Sequence, residues 1–265
     1  MASKAVTIVL AVVGGVVLIS GGTMAAVAAV GAMAPVSEVR DVDISGVQGL
    51  DATVDAAGLT IEFYDGDDAR LRADEGSTDG WTLRTRGEEL VVRTPQPSWL
   101  GWLSPDWLRG DWFDGGDQVT LLLPETLKGI DADLTLNAGA LFANGDFDEI
   151  EAQVNAGRME LLGSADSVDL ALNAGAGSVE LEGVDEAGFH VAAGRIDAEL
   201  TGTAPSEVTI DVSAGDVTLT LPRGDYDVRQ DVSAGDLSSE LRQDPDSTNR
   251  VRVSISAGSV NLHEG

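Results

Sequence analysis

Carboxylates in repeated segments are the side chains whose types and spacing are best suited to chemistry. Asp211 and Asp231 occupy equivalent positions in the segments TIDVSAGDV and RQDVSAGDL, and so do Asp216 and Asp236. Stacked acids of this kind would serve a polysaccharide-cleaving enzyme, or hold a cation such as calcium that relieves their repulsion. However, the calcium-binding pattern G-G-x-G-x-D is absent from the sequence, and no Arg or Lys recurs beside the acids. We therefore interpret them as solvated surface charge.

Other catalytic or metal-binding groups are scarce. The two histidines, His190 and His263, have no metal-ligand spacing to each other. The sequence has neither a Gly-x-Ser-x-Gly elbow nor a phosphate-binding loop. It also has no cysteine, which excludes disulfides, a thiolate zinc site, a cysteine nucleophile and a lipoprotein attachment cysteine. We predict a protein that is not an enzyme, with no catalytic residue, no metal and no cofactor.

The charge balance excludes one class of partner. The chain has 45 acidic and 16 basic residues, a formal net charge of -29. Such a surface repels phosphates, so no nucleic acid partner is expected. A saline habitat and cation binding are the alternatives to simple solubilisation of the surface.

The N-terminal segment is a long uncharged run. No charged residue occurs between Ala5 and Ala34, and Lys4 precedes this run. About 20 apolar helical residues span a bilayer, so residues 1–35 are predicted to be an N-terminal transmembrane helix. Lys4 would remain inside, which predicts a single-pass cell-membrane protein with an extracytoplasmic C-terminal domain. The alternative is a signal peptide cleaved after Ala32-Met33-Ala34.

A repeat of about 20 residues dominates the rest of the chain. Seven segments combine alternating apolar residues with Asn, Ser or Ala followed by Ala-Gly, and their glycines are spaced by 18, 18, 19, 21, 20 and 23 residues. A fixed period of this length is typical of a solenoid, and the alternation predicts strands with one buried face. We therefore predict an all-β, single-stranded β-solenoid over 36–265, after the one transmembrane helix. A right-handed parallel β-helix is the preferred form, although handedness does not follow from the sequence.

Stacking of the repeats predicts three rows of side chains. The inward row is Leu136, Val154, Leu172, Val191, Val212, Val232 and Ile255. The glycines take positive φ where the chain turns between two strands; they are Gly139, Gly157, Gly175, Gly194, Gly215, Gly235 and Gly258. The third row is a polar ladder of Asn137, Asn155 and Asn173, continued by Ser213, Ser233 and Ser256. Stacked amides bond to one another along a coil, which favours a structural role over ligand binding.

A tryptophan-rich segment, 97–116, interrupts the strands predicted at 89–94 and 118–123, which would otherwise pair. Four of the five tryptophans lie in it, at Trp99, Trp102, Trp107 and Trp112, with Phe113 beside them. One interpretation is a loop that folds back and caps the solenoid. The other is a contact loop for the membrane interface, a glycan or a protein, since Trp favours surfaces that are apolar on one side and wet on the other.

Taken in order, these features resemble a known family. The apolar N-terminal run, the Trp-rich segment followed by VTLLLPETL (119–127), and the recurring NAG and SAG turns are similar to the DUF4097 family of candidate bacterial adhesins. The resemblance covers 40–265. It implies a β-solenoid of roughly 20-residue turns, extracytoplasmic display and no catalytic residues, with some members accompanying regulators of envelope stress.

The predicted function is therefore a non-enzymatic, membrane-anchored, adhesin-like or cell-envelope interaction module. Its partners would be the membrane, through the N-terminal helix, and a protein or glycan of the envelope. The first alternative is a sensory component of envelope stress that binds a membrane partner through the Trp-rich loop. The second is a carbohydrate-active enzyme. The oligomeric state is not predicted.

Overall fold

A computed structural model describes residues 11–12, 15–16, 38–73, 78–94 and 118–265 of the chain. The strands that precede the repeat are β1 (Ala11–Val12), β2 (Gly15–Val16), β3 (Glu38–Val42), β4 (Gly49–Val54), β5 (Ala57–Tyr64), β6 (Ala69–Ala73), β7 (Thr82–Arg86), β8 (Glu89–Arg93) and β9 (Gln118–Pro124). A 3-10 turn, Glu125–Leu127, follows Pro124. The described residues contain no α-helix.

The repeat itself forms twelve further strands. They are β10 (Ile130–Leu136), β11 (Gly139–Val154), β12 (Gly157–Ser164), β13 (Ser167–Leu172), β14 (Gly175–Glu182), β15 (Glu186–Thr201), β16 (Glu207–Leu221), β17 (Asp225–Val232), β18 (Asp236–Ser239), β19 (Arg242–Gln243), β20 (Arg250–Ile255) and β21 (Gly258–Glu264). Burial alternates along most of them, as eBeBeB does over β20. This is the pattern expected when one face of each strand packs against a core.

The strands build two parallel stacks that face each other across the core. One coil contributes a strand to each stack, and neighbouring coils pair in parallel at about 4.8 Å. The first strand stack runs in the order β8, β4, β10, 149–154, β13, 186–191, 207–212, β20, β17. The second strand stack runs β9, β5, 139–146, β12, β14, 194–201, 215–221, β21, β18. The stacks thus define nine layers, numbered here from β8/β9 to β17/β18.

The core is a set of aliphatic rows that run through the layers. Residues equivalent to Leu136 lie in register, and all of them except Val232 are almost fully buried. Among the residues that the structure describes, Phe189 and Tyr226 are the largest side chains with full burial. Fully burying one aliphatic or Phe side chain contributes about 1.5–3 kcal/mol. Because each layer covers its neighbours, the stability of a coil depends on the coils above and below it.

The seven Ala-Gly corners stack into one row, where backbone meets backbone. Their glycines have φ between 106° and 152°. A Cβ on Gly157 would overlap the carbonyl oxygen of Gly139, and the same overlap recurs up the row. Glycine is therefore required for two reasons: its φ angle is positive, and the backbone of the next coil lies too close for a Cβ atom.

The coils do not stack in the order of the sequence. Strands β20 and β21, the last in the chain, lie between β16 and the β17/β18 layer. At the other end, the coil of β4 and β5 lies inside the β8/β9 layer, which follows it in the chain. The row of corners accordingly ends Gly215, Gly258, Gly235.

Charge gives a physical reason for the inserted C-terminal coil. Arg250 lies in register between Glu207 and Asp227. Ser254 lies in the same way between Asp211 and Asp231. Direct stacking of β17 on β16 would place these acids opposite each other, and Asp216 opposite Asp236, and like charges directly opposite each other destabilise a sheet.

Antiparallel strands extend the sheet at the β8/β9 end. Strand β6 pairs antiparallel with β9 and with β3, while β7 pairs antiparallel with β8 across a turn at Gly87, whose φ is 66°. Strands 89–94 and 118–123 were expected to pair with each other, and this expectation is wrong. They are the two strands of one coil, because β8 pairs in parallel with β4 and β9 pairs in parallel with β5.

The prediction of an N-terminal transmembrane helix is wrong for the residues that the structure describes. The described residues of that segment, β1 and β2, are extended and pair antiparallel, with Ala11 opposite Val16 and Val12 opposite Gly15. Among the described residues, no helix has the length and apolarity needed to cross a bilayer. The predicted fold class and the single-pass membrane localisation were therefore wrong in this respect. The remaining residues of 1–35 lie outside the described part of the chain.

Candidate functional site

A row of carboxylates crosses the outward surface of the first strand stack. Asp51, Asp133, Glu151 and Asp169 are in register in four consecutive layers. Each lies three residues before an inward aliphatic residue such as Val54, so strand alternation directs all four away from the core. Together with Glu149 and Glu186, they form what we call the acidic face.

Neutralising partners are concentrated at one end of this row. Asp51 accepts a hydrogen bond from Arg93 Nη2 at 3.0 Å, and Arg86 Nη2 lies 3.8 Å from the same carboxylate. Among the described residues, no basic side chain forms an ion pair with Asp133 or Glu151. Burial raises the pKa of Asp133, and the neighbouring charges of Asp51 and Glu151 raise it further. The centre of the acidic face is thus a site where a cationic group would be stabilised.

This electrostatic strain predicts a gain in stability when one acid of the row is neutralised. A raised pKa means that folding disfavours the carboxylate, so the penalty is present at neutral pH and disappears as pH falls through the folded-state pKa. We expect Asp133→Asn to raise the unfolding midpoint by about 1–3 °C at pH 7. At pH 3 the two proteins should unfold at the same temperature.

Asp197→Asn is the matched control, because Asp197 lies in register between Ser178 and Thr218 on the other strand stack. It should leave the midpoint unchanged within about 1 °C. Thermal unfolding followed by circular dichroism measures both variants. An equal gain for both would show that net charge, and not the row, is responsible.

A shallow groove continues the acidic face towards the C-terminal layers. Its volume is about 340 Å³, and it is lined by Glu149, Asp169, Glu186, His190 and Glu207, among others. Its floor is Gly188, where a Cβ would overlap the carboxylate of Asp169. The missing side chain therefore lets the Asp169 carboxylate lie over Gly188, beside the other acids of the groove.

His190 is held between acids of the two adjacent coils. Its Nε2 lies 3.3 Å from Asp169 Oδ2, and its Nδ1 lies 3.1 Å from Asp211 Oδ2. Glu207, at the far side of the groove, forms an ion pair with Arg252. The groove therefore combines partnered acids with Glu149 and Glu186, for which the described residues supply no basic partner. Its size and charge are suited to a lysine or arginine side chain.

The acids singled out in the sequence are not neighbours. Asp211 and Asp231 each lie opposite Ser254, so one complete layer separates them. Asp216 and Asp236 are separated in the same way by Ser259, whose Oγ donates to Asp216 Oδ1 at 2.5 Å. Interposed serines therefore relieve the repulsion for which a cation was considered. Among the described residues, no group of three or more His, Cys, Asp or Glu side chains could hold a metal ion.

The polar ladder is placed beside the corner glycines. Asn155 Nδ2 donates to Asn137 Oδ1 at 2.7 Å, and Asn173 Nδ2 donates to Asn155 Oδ1 at 2.7 Å. Asn137 in turn donates to Asp55 at 2.7 Å. The serine positions follow in the order Ser213, Ser256, Ser233. These amides bond to each other, which favours their structural role.

The predicted contact loop belongs to a part of the chain that the structure does not describe. Trp99, Trp102, Trp107, Trp112 and Phe113 lie outside the described residues, as does all of 97–116. The choice between a cap and a contact loop therefore stays a prediction.

Sequence reasoning missed the acidic face, although a signal for it exists. Aligning the strands on their inward aliphatic residue puts Asp51, Asp133, Glu151 and Asp169 in the same position. Alignment on the Ala-Gly corners identifies instead the acids of the later repeats, which recur in consecutive segments of the sequence. Which acids are adjacent in space depends on the order of the coils.

Comparisons with known proteins give only remote likenesses. No known family profile and no curated protein matches the chain, so the resemblance to the DUF4097 family stays a prediction. Three solved structures of similar shape are a candidate cell adhesion protein from Clostridium sporogenes (14% identity, TM-score 0.33), a candidate lipid-binding protein from Parabacteroides distasonis (14%, 0.37) and a candidate adhesin from Bacteroides fragilis (10%, 0.33). They cover 86%, 85% and 85% of this chain and 99%, 96% and 96% of their own. At these values the likeness gives no basis for assigning a function.

Proposed function

We propose that this protein is a non-enzymatic, adhesin-like interaction module whose acidic face binds the basic surface of another protein. The observation that carries the proposal is the row of Asp133 and Glu151, which lies in consecutive layers without a basic partner among the described residues. Carboxylates held about 4.8 Å apart on a sheet need no rearrangement to meet a cationic surface. The groove beside Gly188 adds a depression of a size suited to one basic side chain.

The remaining features support binding over chemistry. The histidine of the groove is held by Asp169 and Asp211, and the amides of the corner ladder are used in bonds to each other. A sheet that is paired across nine layers is rigid, which lowers the entropic cost of forming an extended contact. Electrostatic complementarity of this kind also accelerates association and makes it sensitive to salt.

Charge reversal on the acidic face tests the proposal. The full chain carrying Asp133→Lys and Glu151→Lys is compared with the parent for binding to immobilised poly-L-lysine. We expect at least a tenfold loss of affinity, because exposed ion pairs contribute up to about 1 kcal/mol each and reversal adds repulsion. Raising the salt concentration should weaken binding of the parent much more than that of the variant.

The control reverses the same number of charges elsewhere. Asp197 and Glu199 are exposed on the outward surface of the second strand stack, and Asp197→Lys with Glu199→Lys produces the same net charge. We expect less than a threefold change in affinity. Equal losses for the two double variants would mean that net charge alone attracts the probe, and the acidic face would then not be the binding site.

A further inference from the structure

Within the described part of the chain, no further layer covers the β17/β18 end of the stack. Val232 is 37% exposed. Its aliphatic equivalents in seven other layers are at most 1% exposed: Val54, Leu136, Val154, Leu172, Val191, Val212 and Ile255. The half-buried Val228 and Leu237 belong to the same end. These side chains are inward residues of a coil that nothing in the described structure covers.

Backbone groups are left open on the same edge. Asp227 N donates to Asn249 O, and Ser233 N donates to Ile255 O, so the odd-numbered residues of β17 bond towards β20. In a parallel strand the intervening residues direct their N–H and C=O groups to the other side. Within the described residues, β19 pairs with β17 only at Asp225 and Tyr226. The outward groups of Val228, Gln230 and Val232 are therefore available to another strand.

Part of this end is already covered by the chain itself. Leu241 is buried against the last layer, and Asp244 N donates to Tyr226 O. The residues that cover the last layer extend only as far as the end of β19. The uncovered part is therefore a defined edge from Val228 to Ser239, which we call the open edge.

The charged side chains beside the open edge indicate which kind of segment could bind there. Asp231 and Asp236 are exposed there, and in the layer below each of them meets a serine, Ser254 or Ser259. A further layer that carried acids at these positions would be repelled, whereas lysine or arginine would be attracted. A second copy of the chain would bring a net charge of -29 against the same sign.

We propose that the open edge binds an extended, basic segment of a partner protein, which adds a tenth layer by β-strand pairing. Apolar residues of the segment cover Val232 and Val228, basic residues lie over Asp231 and Asp236, and the backbone pairs with the outward groups of β17. This mode of recognition takes its affinity from main-chain hydrogen bonds and its specificity from alternate side chains. It deepens the proposed interaction function and rests on it, but it uses a surface separate from the acidic face.

Three peptides test the inference on the full chain. The first is a seven-residue peptide of alternating lysine and valine with blocked ends. The second has glutamate for lysine, and the third has the sequence of the first with every backbone nitrogen methylated. We expect the first peptide to bind, and the other two to bind at least tenfold more weakly. The methylated peptide keeps the charge and the side chains of the first but has no N–H groups to donate to β17, so it separates strand addition from simple attraction.

Two protein variants locate the site. Val232→Lys places a positive charge at the open edge, a device that natural sheets use against strand addition. Gln230→Pro removes one outward N–H without removing a bond to β20. Both should weaken binding of the lysine-valine peptide at least tenfold, while Val232→Ile should bind it as the parent does. Thermal unfolding of each variant verifies that the fold is retained, and either variant alone suffices if the other fails to fold.

Three results would overturn the inference. The first is unchanged peptide binding by both edge variants. The second is equal binding of the methylated and the unmethylated lysine-valine peptides. The third is a dimer of the protein alone that Val232→Lys dissociates, because a second copy would then be the occupant. The acidic-face variant Asp133→Lys/Glu151→Lys keeps the edge intact, so loss of peptide binding in that variant alone would assign the peptide to the acidic face.

Discussion

Gly175→Ala is expected to destabilise the protein by about 4 kcal/mol or more, the range reserved for the most disruptive single substitutions. Gly175 has φ 123°, and a Cβ there would overlap the carbonyl oxygen of Gly157 in the coil below. The overlap is with backbone, so no rotamer change relieves it. The two coils must separate, and their paired strands and shared core are disturbed together. Urea unfolding of the full chain measures the loss.

Gly183→Ala is the matched control for that substitution. Gly183 also has a positive φ, 84°, but a Cβ there would meet no atom within 4 Å. This variant should lose only the dihedral term, about 1–2 kcal/mol. The difference between the two variants isolates the cost of close stacking at the corner. Similar losses for both would mean that the dihedral angle alone requires glycine in the corner row.

Removal of the inserted coil is expected to have the second large effect. A chain that ends at Asn249 loses the buried residues Val251, Val253, Ile255, Val260 and Leu262. It also leaves β16 and β17 without their common neighbour. We expect the unfolding midpoint at pH 7 to fall by more than about 10 °C, because several fully buried aliphatic side chains contribute about 1.5–3 kcal/mol each. Scanning calorimetry of the parent and the shortened chain measures this fall.

The shortened chain also tests why the coils stack out of sequence order. If β17 then pairs with β16, Asp211 meets Asp231 and Asp216 meets Asp236. Asp231→Ser with Asp236→Ser should therefore stabilise the shortened chain by about 1 kcal/mol. In the full chain Ser254 and Ser259 already separate these acids, and the same double variant should change stability by less than about 0.5 kcal/mol. An identical effect in both chains would contradict the like-charge explanation of the stacking order.

Much of the repeat could be predicted because it is encoded locally. Alternation identifies Leu136 and Val154 as inward residues, and the recurring Ala-Gly identifies corners at Gly139 and Gly157. Each of these statements concerns a few consecutive residues and the direction of their side chains. The prediction for the N-terminal segment failed because an apolar composition over 5–34 does not by itself distinguish a helix from strands. The residues of that segment that the structure describes are paired as strands.

The sequence by itself determined the all-β character, the two strands in each coil and the residues that face the core, because period-two alternation and positive-φ corners are properties of short segments. The tertiary structure alone decided which coil lies on which. That choice places Arg250 between Glu207 and Asp227, and it leaves β17 and β18, and not the last strands of the chain, at the open edge. Pairing between coils is non-local, and every repeat presents a similar inward row, so the apolar pattern does not rank one neighbour above another. Among the C-terminal coils the outward charges favour the observed neighbours, and they act only when two coils are brought into register.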